Sequence, residues 1–455
     1  MRGIEERILL KRDINNIDEY IAVGGFQALK KAISMSPETI VKEIKKSGLR
    51  GRGGAGFPVS NKLETMVKTT SKKYLCCNAA EGEPGTFKDR YIIRKNPYQV
   101  IEGIAILAYT IGTAKSYIGL KVIFKKETER LEQALKECED KGFIGKDIFE
   151  RSVSLPVEIK LGPDHYLFGE ETAFMNIIEG GACMPRPKPG YIVGVGNGMK
   201  IEPEDFKYVD GVPTLISNLE TFANIPHIIN NGGEWFKGIG IEENGAGTMV
   251  FTLSGDVKRP GIYELPMGTK LSTLVNEIGG GGLNGNIKAV LPGGPSNKIL
   301  KGDELDVRLN YNSMKKAGSG LGSGCVIVFD ETACMVKVAS VFSVFFMKGS
   351  CGQCITCSDG TKSLMELLSF IERGRGSEKD ITEIWSWIPQ MLKPEAGHCY
   401  LVTADPTIIS SIMQKFPQEF VQHIENGRCS LPREISNFKI QDFDEQKREF
   451  KMGLL

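Results

Sequence analysis

Lys73-Tyr-Leu-Cys-Cys-Asn78 is a short apolar run with no charge between Tyr74 and Asn78. Its length and its continuous rather than alternating apolarity predict a strand buried on both faces. Cys76 and Cys77, adjacent on such a strand, point to opposite sides and read as core. Downstream, Pro97 to Gly112 carries helical periodicity, Ser116 to Phe124 is extended, Glu127 to Lys141 is helical and Val157 to Leu161 is extended again. Upstream, residues 16–47 are helical, with Ser36 as an N-cap and Gly48 as a stop. Helices and strands alternate in this way through about residue 235, which predicts a layered α/β domain.

Beyond Thr248 the texture changes. Two short strands around a turn, a short helix at Leu271 to Ile278 and the strand at Ala289 suggest a small β-grasp module, with the four glycines Gly279 to Gly282 as a turn. Gly318 to Gly324 leads into the strand Cys325 to Asp330; a glycine loop that precedes a strand has the opposite polarity from a dinucleotide fingerprint and reads as structural. From Glu331 to Asn426 the pattern is helical almost throughout, and Val338, Val341, Phe342, Phe345 and Phe346 form an apolar face suited to a helix bundle. Glu434 to Lys451 is charged and reads as a surface arm. The expected division is 1–240, 241–325, 326–430 and 431–455.

The 455 residues carry a formal net charge of +1, which argues against a strongly basic polynucleotide binder. Met1-Arg-Gly-Ile-Glu-Glu-Arg lacks the apolar core of a signal peptide, and the eleven cysteines do not read as a secretory disulfide framework, so a cytoplasmic setting is expected. Met335 to Met347, the most apolar stretch, is too short to cross a bilayer, so no direct membrane insertion is expected.

Five loops carry the chemistry. Cys351, Cys354 and Cys357 stand in Ser350-Cys-Gly-Gln-Cys-Ile-Thr-Cys, and Cys399 follows remotely in Gly-His-Cys-Tyr-Leu. Three thiolates from one loop and one from afar suit a cubane iron–sulfur cluster. Structural zinc is the competing reading, although four-cysteine zinc sites usually come as two C-x2-4-C pairs. Gly48-Leu-Arg-Gly-Arg-Gly-Gly-Ala-Gly-Phe-Pro58 contains a literal G-x-G-x-x-G, but no strand feeds it, so the ordinary dinucleotide reading fails its context. Its glycine amides, with Arg50 and Arg52, offer chemistry suited to a phosphate. Asn78-Ala-Ala-Glu-Gly-Glu-Pro-Gly-Thr-Phe-Lys-Asp-Arg90 would pass for a solvated turn, and Tyr166-Leu-Phe-Gly-Glu-Glu-Thr-Ala173 and Pro185-Arg-Pro-Lys-Pro-Gly-Tyr191 are suggestive only. With four histidines and no triad, the chain has the makings of a cofactor protein rather than a hydrolase; His165 and His398 read as packed or surface residues.

Taken together and in order, these loops with Asn218-Leu-Glu-Thr221 closely resemble the flavin-bearing, NADH-oxidising (51 kDa-type) subunit of respiratory complex I. The same module occurs in NAD-linked hydrogenases, formate dehydrogenases and electron-bifurcating transhydrogenases. The resemblance runs from about residue 20 to residue 428. It implies a Rossmann-like FMN- and NADH-binding α/β domain, a ubiquitin-like SLBB β-grasp domain and a helical bundle carrying a [4Fe-4S] cluster on Cys351, Cys354, Cys357 and Cys399. FMN falls to Arg52, Gly53, Gly54 and Gly56, with Lys62 near its ring or phosphate and Asn78, Ser217, Asn218 and Thr221 around the ribityl phosphate. Phe57 stacks on the nicotinamide cofactor, Glu83 and Glu171 take its hydroxyls or carboxamide, and Lys188 and Tyr191 close its far end. Gly169 and Glu170 pass beneath the flavin, and Glu81 and Tyr166 complete the set.

The implied activity passes hydride from NADH to FMN and single electrons to the cluster, reversibly and with electron bifurcation as an option. Ala80, Thr65, Ser217 and Ser358-Asp359 depart from the family's usual residues and bear on flavin affinity and cluster potential. No thioredoxin-like or ferredoxin extension is recognisable. A thioredoxin-like [2Fe-2S] subunit and further iron–sulfur or catalytic subunits are therefore the expected partners. Glu83 should repel a 2′-phosphate, favouring NADH; an NADP(H)-linked enzyme, or an iron–sulfur relay or assembly subunit without nucleotide chemistry, is the alternative.

Overall fold

The apolar run that opens the argument is strand β1, Tyr74–Asn78, buried at every position but its last. In the computed structural model, which describes residues 7–150, 153–187, 207–209, 211–241, 245–431 and 433–453, β1 lies in a sheet with β2 (Lys115–Lys121), β3 (Val157–Gly162), β4 (Lys207–Val209) and β5 (Val212–Asn218). The order is β3-β2-β1-β5-β4. β1 runs parallel to both β2 and β5, β2 parallel to β3, and β4 antiparallel to β5. Parallel strands need crossovers and cover on both faces. Helix Pro97–Ile111 supplies cover, buried at all but one of its positions, with Asn96 capping the Gln99 N–H and Gly112 ending it in the left-handed conformation. A Cβ on Gly103 of this helix would sit 2.0 Å from the Phe222 carbonyl oxygen, so glycine is what lets helix Leu219–Asn231 pack so close. Ser36 caps helix Pro37–Ser47 and Gly48 stops it, as expected.

Contacts divide the chain into two units, one of Met1–Gly82, Lys88–Val250 and Glu264–Gly268, the other of Glu83–Phe87, Phe251–Tyr263 and Thr269–Leu455. The second carries most of a sheet of β6 (Thr248–Gly255), β7 (Gly261–Pro266), β8 (Ile287–Leu291), β9 (Leu300–Lys301) and β10 (Cys325–Asp330) in the order β7-β6-β10-β8-β9. β10 is parallel to β6 and antiparallel to β8, a mixed arrangement with β10 in the middle. The boundary expected at 325 therefore falls where the central strand begins. All six residues of β10 are buried, which is why the apolar run belongs to the sheet and not to the helices that follow.

The helices are Met335–Gly349, Ile355–Glu372, Glu378–Met391, Leu401–Lys415 and Pro417–Asn426. Val338, Phe342, Phe345 and Phe346 are buried on the first of them. The stretch expected as a charged arm instead forms the antiparallel hairpin β11 (Ile440–Asp444) and β12 (Glu449–Met452). Charge is only half of its pattern: Phe438 is buried, meets Phe342 and Phe329 ring to ring, and accepts the Gly85 N–H at its carbonyl, while Arg433 grips Asp256 through both terminal nitrogens. Among the described residues no helix is long and apolar enough to cross a membrane.

Candidate functional site

In the first unit the chain proceeds from β1 outward to β2 and β3 on one side, then returns to place β5 on the other flank of β1. The crevice beyond the carboxyl ends of β1 and β5 is thus a topological switch point, where open α/β sheets bind ligands. Asn78 and Asn218 end those two strands and pair in register, with Ser217 one step behind. Asn218 also caps helix Leu219–Asn231, accepting the Glu220 N–H at 3.1 Å. The glycine loop folds over this crevice: a Cβ on Gly53 would lie 3.1 Å from that of Asn218, and the Arg52 N–H donates to Thr221 Oγ1 at 2.9 Å. Gly54 (φ +129°) and Gly56 (φ +62°) hold backbone conformations that favour glycine, which turns the loop back upon itself.

The Tyr166–Gly169 turn joins from the other side, since Asn78 Nδ2 donates to the Gly169 carbonyl at 2.8 Å. Lys62 reaches Glu171 and the Ile216 carbonyl, both at 3.1 Å, and lies 5.9 Å from the centre of the Phe57 ring. Phe57 itself is 36% exposed, unusual for phenylalanine and suited to stacking. The structure therefore brings together Gly53, Gly54, Gly56, Phe57, Lys62, Asn78, Gly169, Glu171, Ser217, Asn218 and Thr221 around one crevice.

Several expected residues are engaged otherwise. Arg52 is buried and its Nη2 donates to the carbonyls of Ala246 and Thr248, while Arg50 Nε donates to the Gly56 carbonyl. Both guanidinium groups are thus bonded to backbone carbonyls of the protein itself. Glu170 accepts from the Thr172 and Ala173 amides, capping its own helix. Glu81 accepts from the Asp89 N–H and from Arg90 Nε. Glu83 falls in the second unit, where its Oε1 accepts the Ser296 N–H at 2.9 Å. Lys188 and Tyr191 lie outside the described residues.

Sequence reasoning missed the charged knot behind the crevice. Lys88 is fully buried, 2.7 Å from Asp89, 2.9 Å from Glu220 and 3.0 Å from Asn218 Oδ1, and Asn218 Nδ2 donates to Asp89. Burial pushes the Asp89 carboxyl up to about 6 despite Lys88, and the two neighbouring carboxylates hold the Lys88 ammonium protonated. The knot fixes the Asn218 amide by hydrogen bonds to both of its polar atoms. Its only trace in the sequence is Lys88-Asp-Arg90, which solvent exposure would have explained equally well.

In the second unit Cys351 follows helix Met335–Gly349, Cys354 caps helix Ile355–Glu372, Cys357 sits in the first turn of that helix, and Cys399 precedes helix Leu401–Lys415. Cys354 Sγ accepts the His398 N–H at 3.3 Å, which ties the triplet loop to the segment bearing Cys399. Gln353 Nε2 donates to Cys351 Sγ at 3.3 Å, and Ser350 Oγ is 3.5 Å from Cys357 Sγ. Burial, opposed by the Ser350 hydrogen bond and reinforced by Cys354, Cys351 and Asp405, pushes the Cys357 thiol up to about 11. Thiols so crowded resist ionisation unless a cation neutralises them, and N–H donors to sulfur are what an iron–sulfur cluster uses to tune its charge. The donor set fits a cluster. Asp405 lies buried on helix Leu401–Lys415, and burial pushes its carboxyl well above the usual carboxylate range.

Three family descriptions match in chain order: a Nuo51 FMN-binding domain over residues 44–227, an SLBB domain over 250–300, and an NADH-ubiquinone oxidoreductase-F iron-sulfur binding region over 337–423. The first spans every crevice residue above and the last spans all four cysteines. The second F-type NADH-quinone oxidoreductase subunit of Rhizobium meliloti is 40% identical over 93% of this chain and 99% of its own length. The NADP-reducing hydrogenase subunit HndC of Solidesulfovibrio fructosivorans is 38% identical over 92% of this chain and 82% of its own. A solved chain of NAD+-reducing [NiFe]-hydrogenase superposes with a TM-score of 0.77 at 27% identity, covering 91% of this chain and 68% of that one.

Proposed function

The chain belongs to the family of F-type NADH-quinone oxidoreductase subunits, which bind FMN and NADH and carry a [4Fe-4S] region, and from that premise we propose which of its residues carry each part of the task. When bound, FMN supplies an acceptor for hydride from a nicotinamide that can release electrons singly, and the cluster supplies a one-electron relay. The observation that carries the assignment is the pairing of Asn78 with Asn218 at the switch point, with the glycine loop folded over them. Amides of Gly53 to Gly56 hold the flavin's phosphate, and Asn78, Asn218 and Thr221, whose side chains bond within the protein, shape the crevice for its ribityl chain. Lys62 places positive charge beside the flavin ring, and the Lys88–Asp89–Glu220 knot keeps Asn218 in place. Phe57 offers a face to the nicotinamide cofactor, and Glu171 accepts from its hydroxyls. Cys351, Cys354, Cys357 and Cys399 hold the cluster.

The relatives' names, those of quinone oxidoreductase and hydrogenase subunits, are the names of parts of multi-subunit complexes. We assign the chain a thioredoxin-like [2Fe-2S] partner and a cytoplasmic site of action. NADH is the preferred donor on the resemblance to NADH-quinone oxidoreductase subunits; the NADP-reducing activity in HndC's name makes NADPH the reading to defeat. Anaerobic titration of the purified chain decides. NADH should bleach the flavin absorbance and then raise a reduced-cluster signal in electron paramagnetic resonance. Bleaching by NADPH alone overturns the donor, and a chain that retains iron and binds no flavin overturns the function.

A further inference from the structure

Among the described residues, one group of potential ligand atoms lies within 4.8 Å of one another: Cys334, His423 and Cys429. None of the three belongs to the four-cysteine set. Cys334 caps the start of helix Met335–Gly349, while Ser350 and Cys351 stand at its end. Fifteen residues at 1.5 Å each separate the two positions by about 22 Å. His423 is on helix Pro417–Asn426, and Cys429 lies just beyond it.

The geometry is that of a preformed ligand set. His423 Nδ1 is 2.7 Å from the Glu419 carbonyl oxygen, which can only accept, so Nδ1 carries the proton and Nε2 presents a lone pair. That is the arrangement of a metal-binding histidine, whose second nitrogen is fixed by a backbone carbonyl. Nε2 faces Cys334 Sγ at 3.5 Å, and a zinc tetrahedron with ordinary Zn–S and Zn–N bonds has an S···N edge of about 3.5 Å. Both sulfurs also receive backbone N–H donors, Cys334 from Lys337 at 3.4 Å and Cys429 from Leu431 at 3.3 Å, and Cys334 occupies a helix N-terminus. Cys334 and His423 are 1% and 2% exposed, whereas Cys429 is partly exposed and leaves room for water.

We propose that Cys334, His423 and Cys429 bind one zinc ion, with water as the fourth ligand. The soft, two-sulfur and one-nitrogen set is suited to zinc rather than to magnesium or calcium. Binding releases the two thiol protons and changes no oxidation state. The ion clips the start of helix Met335–Gly349 to the chain after the last helix, and so braces the element that ends at the cluster loop. The inference does not depend on the flavin or on the cluster.

The test is X-ray absorption at the zinc edge, with metal analysis, on the full chain purified anaerobically from zinc-supplemented medium. The expected result is about one zinc per chain with two sulfur and two lighter neighbours. His423→Ala and Cys429→Ser should each lower bound zinc about tenfold or more while flavin and iron contents stay at the wild-type level. Cys429 is partly exposed, so its serine variant is the one least prone to misfold, and the wild-type spectrum stands without any variant. A four-sulfur zinc shell, which would mark zinc lodged in the cluster site, overturns the proposal. So do a zinc-free chain with a Cys334–Cys429 disulfide, and zinc retained by the His423→Ala, Cys429→Ser double variant.

Discussion

The switch-point crevice and the cysteine loop are built on different physical plans. Around the crevice, Asn78, Asn218 and Lys62 are each tied by hydrogen bonds to another part of the first unit, and a buried ion-pair knot stands behind them. At the loop, Cys351, Cys354 and Cys399 are partly exposed, and the contacts that draw the loop to the remote cysteine run through sulfur and a backbone amide. One site is preorganised by the fold and the other is completed by what it binds. This predicts that damage to each should stay local, and that the metal-assembled site should fail more completely when a single atom is changed.

The largest effect is expected from Cys354→Ser. Removing one corner ligand and its bond from the His398 amide should abolish the reduced-cluster signal and cut electron delivery beyond the flavin about 100-fold or more. Flavin bleaching by NADH should survive. Loss of flavin together with the cluster would break the contrast between the two sites. Next comes Gly54→Val. At φ +129° a β-branched residue is strained by about 1–3 kcal/mol, so FMN affinity should fall about 5- to 150-fold in a fluorescence titration of the flavin-depleted chain. The cluster signal should not change.

A smaller change is expected from Lys62→Met, which removes the ion pair with Glu171 and the bond to the Ile216 carbonyl. Both side chains of that pair are partly exposed, at 24% and 34%, so solvent screens it to about 0.5–1 kcal/mol. The KM for NADH should rise about two- to five-fold, with kcat less affected. A kcat that collapses while KM holds would instead put Lys62 in contact with the reacting flavin.

How much of this was written in the sequence follows the same divide. The cysteine spacing is local, so the loop was legible at sight, and β1, β2 and β3 stand within a few residues of where periodicity put them. The crevice depends on an asparagine pair brought together from positions 78 and 218 by strand register, which no local pattern encodes. Its loops became readable only as an ordered set. Lys88 and Arg52 look like surface cations in the sequence, and only the fold shows that Asp89 and Glu220, or the Ala246 and Thr248 carbonyls, make their burial tolerable. The boundary at 325 separates β10 from its own sheet because an apolar run says that it is buried and not which sheet buries it. Cys334 and His423 are 89 positions apart, too far for any ligand spacing rule.

The smallest expected effect tests whether the stability of the first unit can be moved by pH without touching the cluster. His227 faces Gln99 across 3.2 Å, and burial, with a lesser contribution from Lys11, lowers its imidazole to about 4. The unfolded chain takes up that proton near the ordinary value of 6.5, the folded chain only near 4. Between these values the unfolded state binds more protons, so the contribution of His227 is complete above about 6.5 and declines as pH falls towards 4. The full shift corresponds to about 3 kcal/mol, and because the ring is partly exposed about 1–2 kcal/mol is the better expectation. Asp89 acts in the opposite direction, since its raised value makes the folded state the better proton acceptor between about 4 and 6. The raw pH profile therefore mixes the two, and the informative quantity is the difference between wild type and His227→Gln in denaturant midpoint from pH 7 to pH 4.5. The variant should lose less stability on acidification, with the cluster signal unchanged at each pH. A difference that does not vary with pH would show that His227 takes up its proton alike in the folded and unfolded chain.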